Sequence, residues 1–414
     1  MKGPRWWPLT ARGTGAVALA VASFLVAHEF AVTELLYVSA LLLIVTAVSL
    51  TTLYLGQRGE RISRVFVPDV VAVGDEATVR VHVEVRAPLP MRQGRWRDRL
   101  EAGLTGNASD SLPASASGMG SGRDTVLSYR LRAHRRGVRA VGPLQVATTD
   151  PFGFARRTRT IGATTPLTVT PAIVDLEPLA ELPGAIGGSR HAQTNELGQG
   201  SDNLIPRTYV SGDSMRRIHW RASAHRDELM VRQEEQESTP EATVVFDRSR
   251  RRYGPAAGTP GRDAAFETAV SATVSVVARL VRKGYSVTVL DADGRELVDP
   301  VAGDDAAEVE AFAVRAATLT THDDVAAADV LRAFAGATLG PLVLVTGTLE
   351  PADEGPLPAL GHHSTLPVLL TVGTSDDDVR ALGAGGWHAA SLRDGDVSAA
   401  WSAALRGRRA HVLR

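Results

Sequence analysis

Side chains capable of chemistry are densest between residues 205 and 224, where Arg207, Tyr209, Asp213, Arg216, Arg217, His219, Trp220 and Ser223 fall within a few turns of chain. From Arg207 to Glu237, six arginines face six acids: Asp213, Asp227, Glu228, Glu234, Glu235 and Glu237. So balanced a set suits internal ion pairs, and Arg216 is spaced to fork onto Asp213 at i,i+3. A nucleic-acid site would carry unbalanced positive charge. Ion-pair networks are more often structural than catalytic, so buried salt bridges and the Trp220 ring are expected to pin this segment between two domains. Gly212-Asp213-Ser214 superficially matches the serine block of a small hydrolase class. A serine nucleophile needs a base, and the Asp-x-x-His pattern that would supply one occurs nowhere in the chain. P-loop, HExxH and GxSxG patterns do not occur either. His28-Glu29 lacks a second histidine, and His362-His363 lacks partner spacing.

The elements that must position these residues follow from length and patterning. A chain of 414 residues, 44% hydrophobic and 22% charged, suits two or three globular domains. Its net charge of -1 excludes a surface tuned as a whole for nucleic acid or acidic lipid. With no cysteine, disulfides, thiolate nucleophiles and cysteine metal sites are excluded. Lysine occurs only at Lys2 and Lys283, so arginine supplies nearly all the basic charge.

Two apolar runs open the chain. One covers residues 14–27 and reaches spanning length only by continuing towards Val32; the other covers residues 35–55 and is long enough by itself to cross a core of ~30 Å. A helical hairpin over 14–55, turning around His28 to Glu34, is the simplest reading. A cleaved signal peptide competes, because Lys2, Arg5 and Arg12 resemble a basic leader and Ala20-Val21-Ala22 a cleavage pattern. Even then the second run would remain as an anchor. Lys2, Arg5 and Arg12 precede the first run, and Arg58, Arg61 and Arg64 follow the second; the turn carries Glu29 and Glu34 and no basic residue. The positive-inside rule then puts residues 1–13 and the large soluble part on the cytoplasmic face of the cell membrane.

Residues 60–172 read as an all-β, sandwich-like domain. Residues 77–85 and 126–132 alternate apolar with polar side chains, as strands with one buried face do. Between them, residues 103–122 are rich in Gly, Ser and Ala and predict a long loop. Residues 173–240 read as a linker carrying the polar–aromatic segment. From residue 241 to 414, strands at 242–246, 286–290, 342–345 and 366–372 alternate with helical stretches at 263–283, 306–319 and 325–335, which predicts an α/β domain with a parallel sheet.

The pattern Arg207-x-Tyr209-x-x-Gly212-Asp213-x-x-Arg216-x-Ile218-x-Trp220, followed by Ala222-Ser223-Ala224, resembles the signature of the domain-of-unknown-function 58 family. Upstream, Arg136-Gly137, Gly142-Pro143, Asp150-Pro151-Phe152-Gly153 and Thr168-Val169-Thr170-Pro171 resemble the family's approach to that signature. The family commonly has arginine where this chain has His225, and Arg226 follows it. The resemblance implies a membrane-anchored protein with a β-domain and a von Willebrand factor A-like, Rossmann-type α/β domain. It also implies association with MoxR-type AAA+ ATPases, and names no reaction.

A von Willebrand A-like domain often binds a divalent cation through Asp-x-Ser-x-Ser after its first strand. The equivalent stretch here is Asp247-Arg248-Ser249-Arg250-Arg251, so Asp247 and Ser249 are degenerate candidates and three arginines crowd them. Thr346-Gly347 stands where a further ligand aspartate would be expected. The expectation is therefore no metal and no cofactor, with Asp247 capping a strand end and pairing with arginine. The leading functional expectation is a non-enzymatic, membrane-tethered interaction or assembly protein engaged by a AAA+ ATPase, with no nucleic-acid partner. A divalent-cation-dependent ligand-binding adaptor is the alternative, and a hydrolase comes third.

Overall fold

Two apolar helices lead the chain, α1 (Ala11–Phe30) and α2 (Thr33–Leu55), each long and apolar enough to cross a membrane. Nothing breaks the first helix at His28, so it runs on to Phe30, and Ala31 makes the turn in a left-handed conformation at φ 52°. Buried Gly13, Ala16, Ala20, Ser23 and Ala27 form a small-residue stripe along α1, and α2 buries Ser39, Thr46, Ser49 and Leu53. Small side chains of this kind let two helices approach closely. The computed structural model describes residues 7–55, 60–85, 94–112, 123–178, 204–209, 215, 218–226, 228–234, 240–323, 339–353, 355–393 and 395–406. The chain divides into two compact units, one made of residues 1–173, 254–271 and 311–321, the other of 174–253, 272–310 and 322–414.

The first unit contains two antiparallel-rich sheets. One orders β1 (Glu60–Val67), β3 (Glu76–Val85), β7 (Arg123–Ala133) and β5 (Leu104–Gly106) as 1-3-7-5. The other orders β2 (Val70–Ala72), β10 (Thr165–Thr170), β8 (Gly137–Thr149), β4 (Gly94–Leu100) and β6 (Ser109–Leu112) as 2-10-8-4-6, with β9 (Arg156–Ile161) also pairing β8. Alternate residues meet in one core: Val79, Val81, Leu127, Tyr129 and Leu131 from the first sheet, and Trp96, Val141, Leu144, Leu167 and Val169 from the second. This is a β-sandwich. The loop expected over residues 103–122 is a correction. Leu104–Gly106 pairs β7 and Ser109–Leu112 pairs β4, anchored by buried Leu104 and Ala108; residues 113–122 lie outside the described residues.

A buried charge cluster sits inside this sandwich. Arg64 donates from Nε and Nη2 to the two oxygens of Asp98, each at 2.9 Å, and the Tyr129 hydroxyl donates to Asp98 Oδ2 at 2.9 Å. Gly142, at φ 105°, leaves the room that the guanidinium fills; a Cβ there would lie 2.7 Å from Arg64 Nη2. Arg136 is fully buried and forks onto Glu267 at 2.7 and 2.8 Å, while also donating to the carbonyls of Ala316 and Leu319. The Arg136-Gly137 and Gly142-Pro143 motifs thus serve buried arginines.

The second unit carries a small antiparallel pair, β11 (Leu204–Thr208) with β12 (Met230–Glu234), and a six-stranded sheet. That sheet comprises β13 (Glu241–Phe246), β14 (Ser286–Asp291), β15 (Glu296–Val301), β16 (Leu339–Thr346), β17 (Ser364–Thr371) and β18 (His388–Ser391), in the order 15-14-13-16-17-18. All neighbours are parallel except the edge strand β15. Helix α4 (Ala264–Val281) buries Phe266, Val270, Val274, Val277 and Leu280 at helical spacing. It too is long and apolar enough to cross a membrane, but two-thirds of its apolar window is buried in the protein, unlike α1 and α2. The helix expected at 325–335 lies outside the described residues. The start of the expected linker is ordered: Val174 N donates to Ser275 Oγ at 2.9 Å, Leu176 is buried, and Trp401 Nε1 donates to Glu177 O at 2.9 Å.

Candidate functional site

The chain leaves β13 to form β14 on one side and later adds β16 on the other. In parallel sheets, the crevice outside the carboxyl ends of strands at such a reversal is where ligands collect. Here that place is filled by the protein's own charges. Asp247 follows β13 directly, and its Oδ1 accepts the Ser249 amide at 3.0 Å. Its Oδ2 accepts Arg252 Nε at 3.0 Å and Thr346 Oγ1 at 3.0 Å. Arg252 also forks onto Asp353, with Nη2 2.9 Å from Oδ1 and Nη1 on Oδ2. The Arg252 side chain is only 2% exposed.

One guanidinium therefore bridges two buried carboxylates and is held further by the Thr348 carbonyl. Burial works against the Arg252 charge. The hydrogen bonds to Asp353 and Asp247 and the charges of both carboxylates outweigh it, and the pKa rises above the ordinary arginine value. Burial would likewise raise the Asp353 pKa. Hydrogen bonds from Arg252 and the Glu350 amide, with the charges of Arg252 and Arg251, hold it below the usual carboxylate value. Three donors meet Asp247, the Ser249 amide on Oδ1 and Arg252 Nε with the Thr346 hydroxyl on Oδ2, and the guanidinium occupies the side where a cation would approach. A hard cation would have to displace a guanidinium to enter, so the donor set does not fit a metal. Among the described residues, no group of three or more His, Asp or Glu is placed to hold one.

The arginine that pairs with Asp247 lies one position beyond the Asp-x-Ser-x-Ser stretch. Arg251 lies 3.5 Å from Glu350 on a partly exposed surface, and Arg252 turns inward. Ser249 is fully buried and meets Asp247 through its backbone amide. Thr346, in the position of an expected ligand, is a hydrogen-bond donor to Asp247. A narrow cavity is lined by Asp247, Arg252 and Thr346 of the cluster together with Leu344, Leu349, Leu357 and Leu360.

A second cluster adjoins along the chain. Asp291, at the end of β14, accepts Arg248 Nε at 3.0 Å and His322 Nε2 at 2.9 Å. The other ring nitrogen of His322 meets the Asp323 carbonyl. Both partners are acceptors, so the arrangement favours the protonated ring, which can donate to each. Burial and the Arg248 charge lower the His322 pKa, but its bonds to Asp291 and Asp323 carry it above 6.5. A raised folded-state pKa contributes stability that is fully present below the unfolded value of 6.5 and is lost as pH rises through the folded one. The melting temperature should fall as pH is raised above 6.5, and His322→Gln should flatten that slope. Parallel pH profiles for the two proteins would contradict the assignment.

The described part of the signature segment forms its own small assembly. Ile218 bridges Val231, Tyr209 N donates to Leu229 O at 2.7 Å, and Ile218, Met230 and Val231 are buried. Ser223, in α3 (Trp220–Arg226), accepts the Met230 amide at 2.8 Å and donates to His219 O at 3.1 Å, tying the helix to β12. Ala224 and His225 are exposed on that helix, and Tyr209 is half-buried. Trp220 is 68% exposed, so its ring does not pin the segment as expected. Arg207 lies in β11, with its side chain outside the described set. Gly212, Asp213 and Arg216, and with them the expected fork, lie outside the described residues. Sequence reasoning missed Arg252, Asp291, His322 and Asp353; the last is 101 positions from its partner, with no local pattern to mark it.

Residues 206–364 match the family model described as "Protein of unknown function DUF58", a stretch that contains Asp247, Arg252, Thr346 and Asp353. No curated protein matches the chain. Among solved structures, the chain is similar to the CARDB domain of a Pyrococcus furiosus protein in complex with di-metal ions, at 16% identity, covering 27% of this chain and 94% of that one with a TM-score of 0.20. It is also similar to a cohesin module from a Clostridium perfringens family 33 glycoside hydrolase, at 12% identity, covering 28% of this chain and 96% of that one with a TM-score of 0.18.

Proposed function

We propose that this chain is a membrane-anchored interaction or assembly protein whose carboxyl-terminal domain, von Willebrand factor A-like, is engaged by a MoxR-type AAA+ ATPase. The observation that carries the non-enzymatic reading is the closed Asp247–Arg252–Asp353 cluster at the strand ends, where catalytic or metal-binding groups would ordinarily face a ligand. Its polar groups satisfy one another, and the arrangement offers no nucleophile beside an available base. The same closure weighs against a cation-dependent adaptor. Family resemblance supports the ATPase partnership, and the match over residues 206–364 strengthens that resemblance.

Anchoring is supported by α1 and α2, whose apolar surfaces are largely uncovered by the rest of the protein. A hairpin of two spans with both outer ends in the cytoplasm agrees with the flanking charges Lys2, Arg5, Arg12, Arg58 and Arg61. Arg64 does not add to them, because Asp98 neutralises it in the buried fork. A reporter fused after Arg414 that is active only outside the cytoplasm should be silent. Activity of that fusion would overturn the orientation and, with it, engagement by a cytoplasmic ATPase.

A further inference from the structure

The two outer ends of the helical hairpin rest on one short stretch of the sandwich. Thr10, the N-cap of α1, donates from its hydroxyl to Gly153 O at 2.6 Å and from its amide to Phe154 O at 2.8 Å. Gly13 passes so close that a Cβ would lie 2.0 Å from Phe154 O. Arg156 N donates to Pro8 O at 2.7 Å. At the end of α2, Arg157 donates to Leu53 O at 2.9 Å and stacks 4.4 Å from the Tyr54 ring centroid. Asp150 makes this seat, accepting the amides of Phe152 at 2.8 Å and Ala155 at 2.6 Å. The Asp150-Pro151-Phe152-Gly153 motif is thus the joint between helices and sandwich.

That joint fixes which residues lie level with the ends of the apolar helices. Phe152 is 52% exposed, and Trp7, just before α1, and Tyr54, at the end of α2, are exposed as well. Arg12 and Arg156 are exposed, and Arg157 is partly so. In the sequence the only carboxylate between residues 150 and 161 is Asp150, which is buried and bonded to backbone amides. Exposed aromatics interleaved with arginines, at the level where apolar helices end, match a headgroup layer: rings sit at the interface and cations meet phosphate. We infer that the face built from Phe152, Arg156, Arg157 and Arg12 lies in the headgroup layer of an anionic bilayer, so that the sandwich docks on the membrane rather than hanging free below its anchor. The inference rests on the anchoring proposed above.

The absence of cysteine makes the test clean, because a single introduced cysteine can carry a nitroxide label. The full chain is reconstituted in phosphatidylcholine nanodiscs with and without phosphatidylglycerol, labelled at Phe152→Cys or, in a separate sample, at Leu19→Cys in mid-α1. Collision with oxygen and with a water-soluble nickel complex is then read for each label. The Phe152 label should be shielded from nickel in anionic discs, and Arg156→Glu should restore its access. Each arginine near an anionic surface shifts docking by about fivefold. If the Leu19 label is shielded while the Phe152 label stays open to nickel, the docking inference falls and anchoring survives. Shielding at Phe152 that ignores both phosphatidylglycerol and Arg156→Glu also overturns it, by removing the anionic lipid. A nickel-accessible Leu19 label overturns the anchoring itself.

Discussion

Arg252→Ala should destabilise the protein by about 3–5 kcal/mol, the cost of stranding buried charge by removing one partner. Its side chain lies between Asp247 and Asp353, which are themselves 8% and 4% exposed. Without it, Asp353 keeps only the Glu350 amide, and Asp247 keeps the Ser249 amide and the Thr346 hydroxyl. The pH dependence has a definite sign. In the wild type the Asp353 pKa is depressed below 3.8, so its contribution is present above that value and lost as pH falls through the folded one. In Arg252→Ala only the Glu350 amide and the Arg251 charge still oppose burial at Asp353, protonation becomes more favourable, and the deficit should narrow in acid. Adding Asp247→Asn and Asp353→Asn to Arg252→Met should recover much of the loss, as charge-free replacement of buried ion pairs does. Magnesium should leave the wild-type melt unmoved, whereas a ligand at 100 times its dissociation constant would add ~2.7 kcal/mol. Wild-type stability in Arg252→Ala, or a magnesium-induced rise in wild type, would contradict the closed cluster.

Asp98→Ala should cost a similar ~3–5 kcal/mol in the sandwich, because Arg64 and Asp98 are 1% and 0% exposed and bond at 2.9 Å through both arms of the fork. Arg64 would retain the Ala163 carbonyl at 2.8 Å, too little to compensate a buried guanidinium. Tyr129→Phe removes one hydrogen bond to a charged group and should cost ~1.5–3 kcal/mol. Burial and then the Asp98 charge push the Tyr129 pKa well above the usual tyrosine value, so the hydroxyl stays a donor. Chemical melts of both variants check this. A loss under ~1 kcal/mol for Asp98→Ala, the scale of an exposed pair, would contradict it.

Local patterns were legible in the sequence and long-range pairings were not. β3, β7 and α4 each carry their own period, in Ala77 to Val83, Leu127 to Leu131 and Phe266 to Leu280. β5 and β6 do not, because a strand of Ser, Asp and Gly residues anchored by Leu104 and Ala108 alone has no alternation to read. Arg136-Gly137 stood out as a motif, yet the partner of Arg136 is Glu267, 131 positions away, and nothing local announces that pair. The arginines after Asp247 showed that a cation site was compromised. Which of them turns inward depends on the short helical turn over Arg250–Arg252, which aims Arg252 at Asp247 and leaves Arg251 outside. Trp220 was misread for a related reason: its helix is held through Ser223 and Ile218, so the ring is not needed for packing.

We propose above that the chain works as an anchored binding partner of a AAA+ ATPase. The direct measurement is affinity capture of the full chain from detergent-solubilised membranes, with identification of what accompanies it. A version carrying only the helical hairpin is captured in parallel. A AAA+ ATPase should be enriched with the full chain and absent from the hairpin alone. Intact full-length bait that brings down no AAA+ ATPase, or no more than the hairpin does, would contradict it.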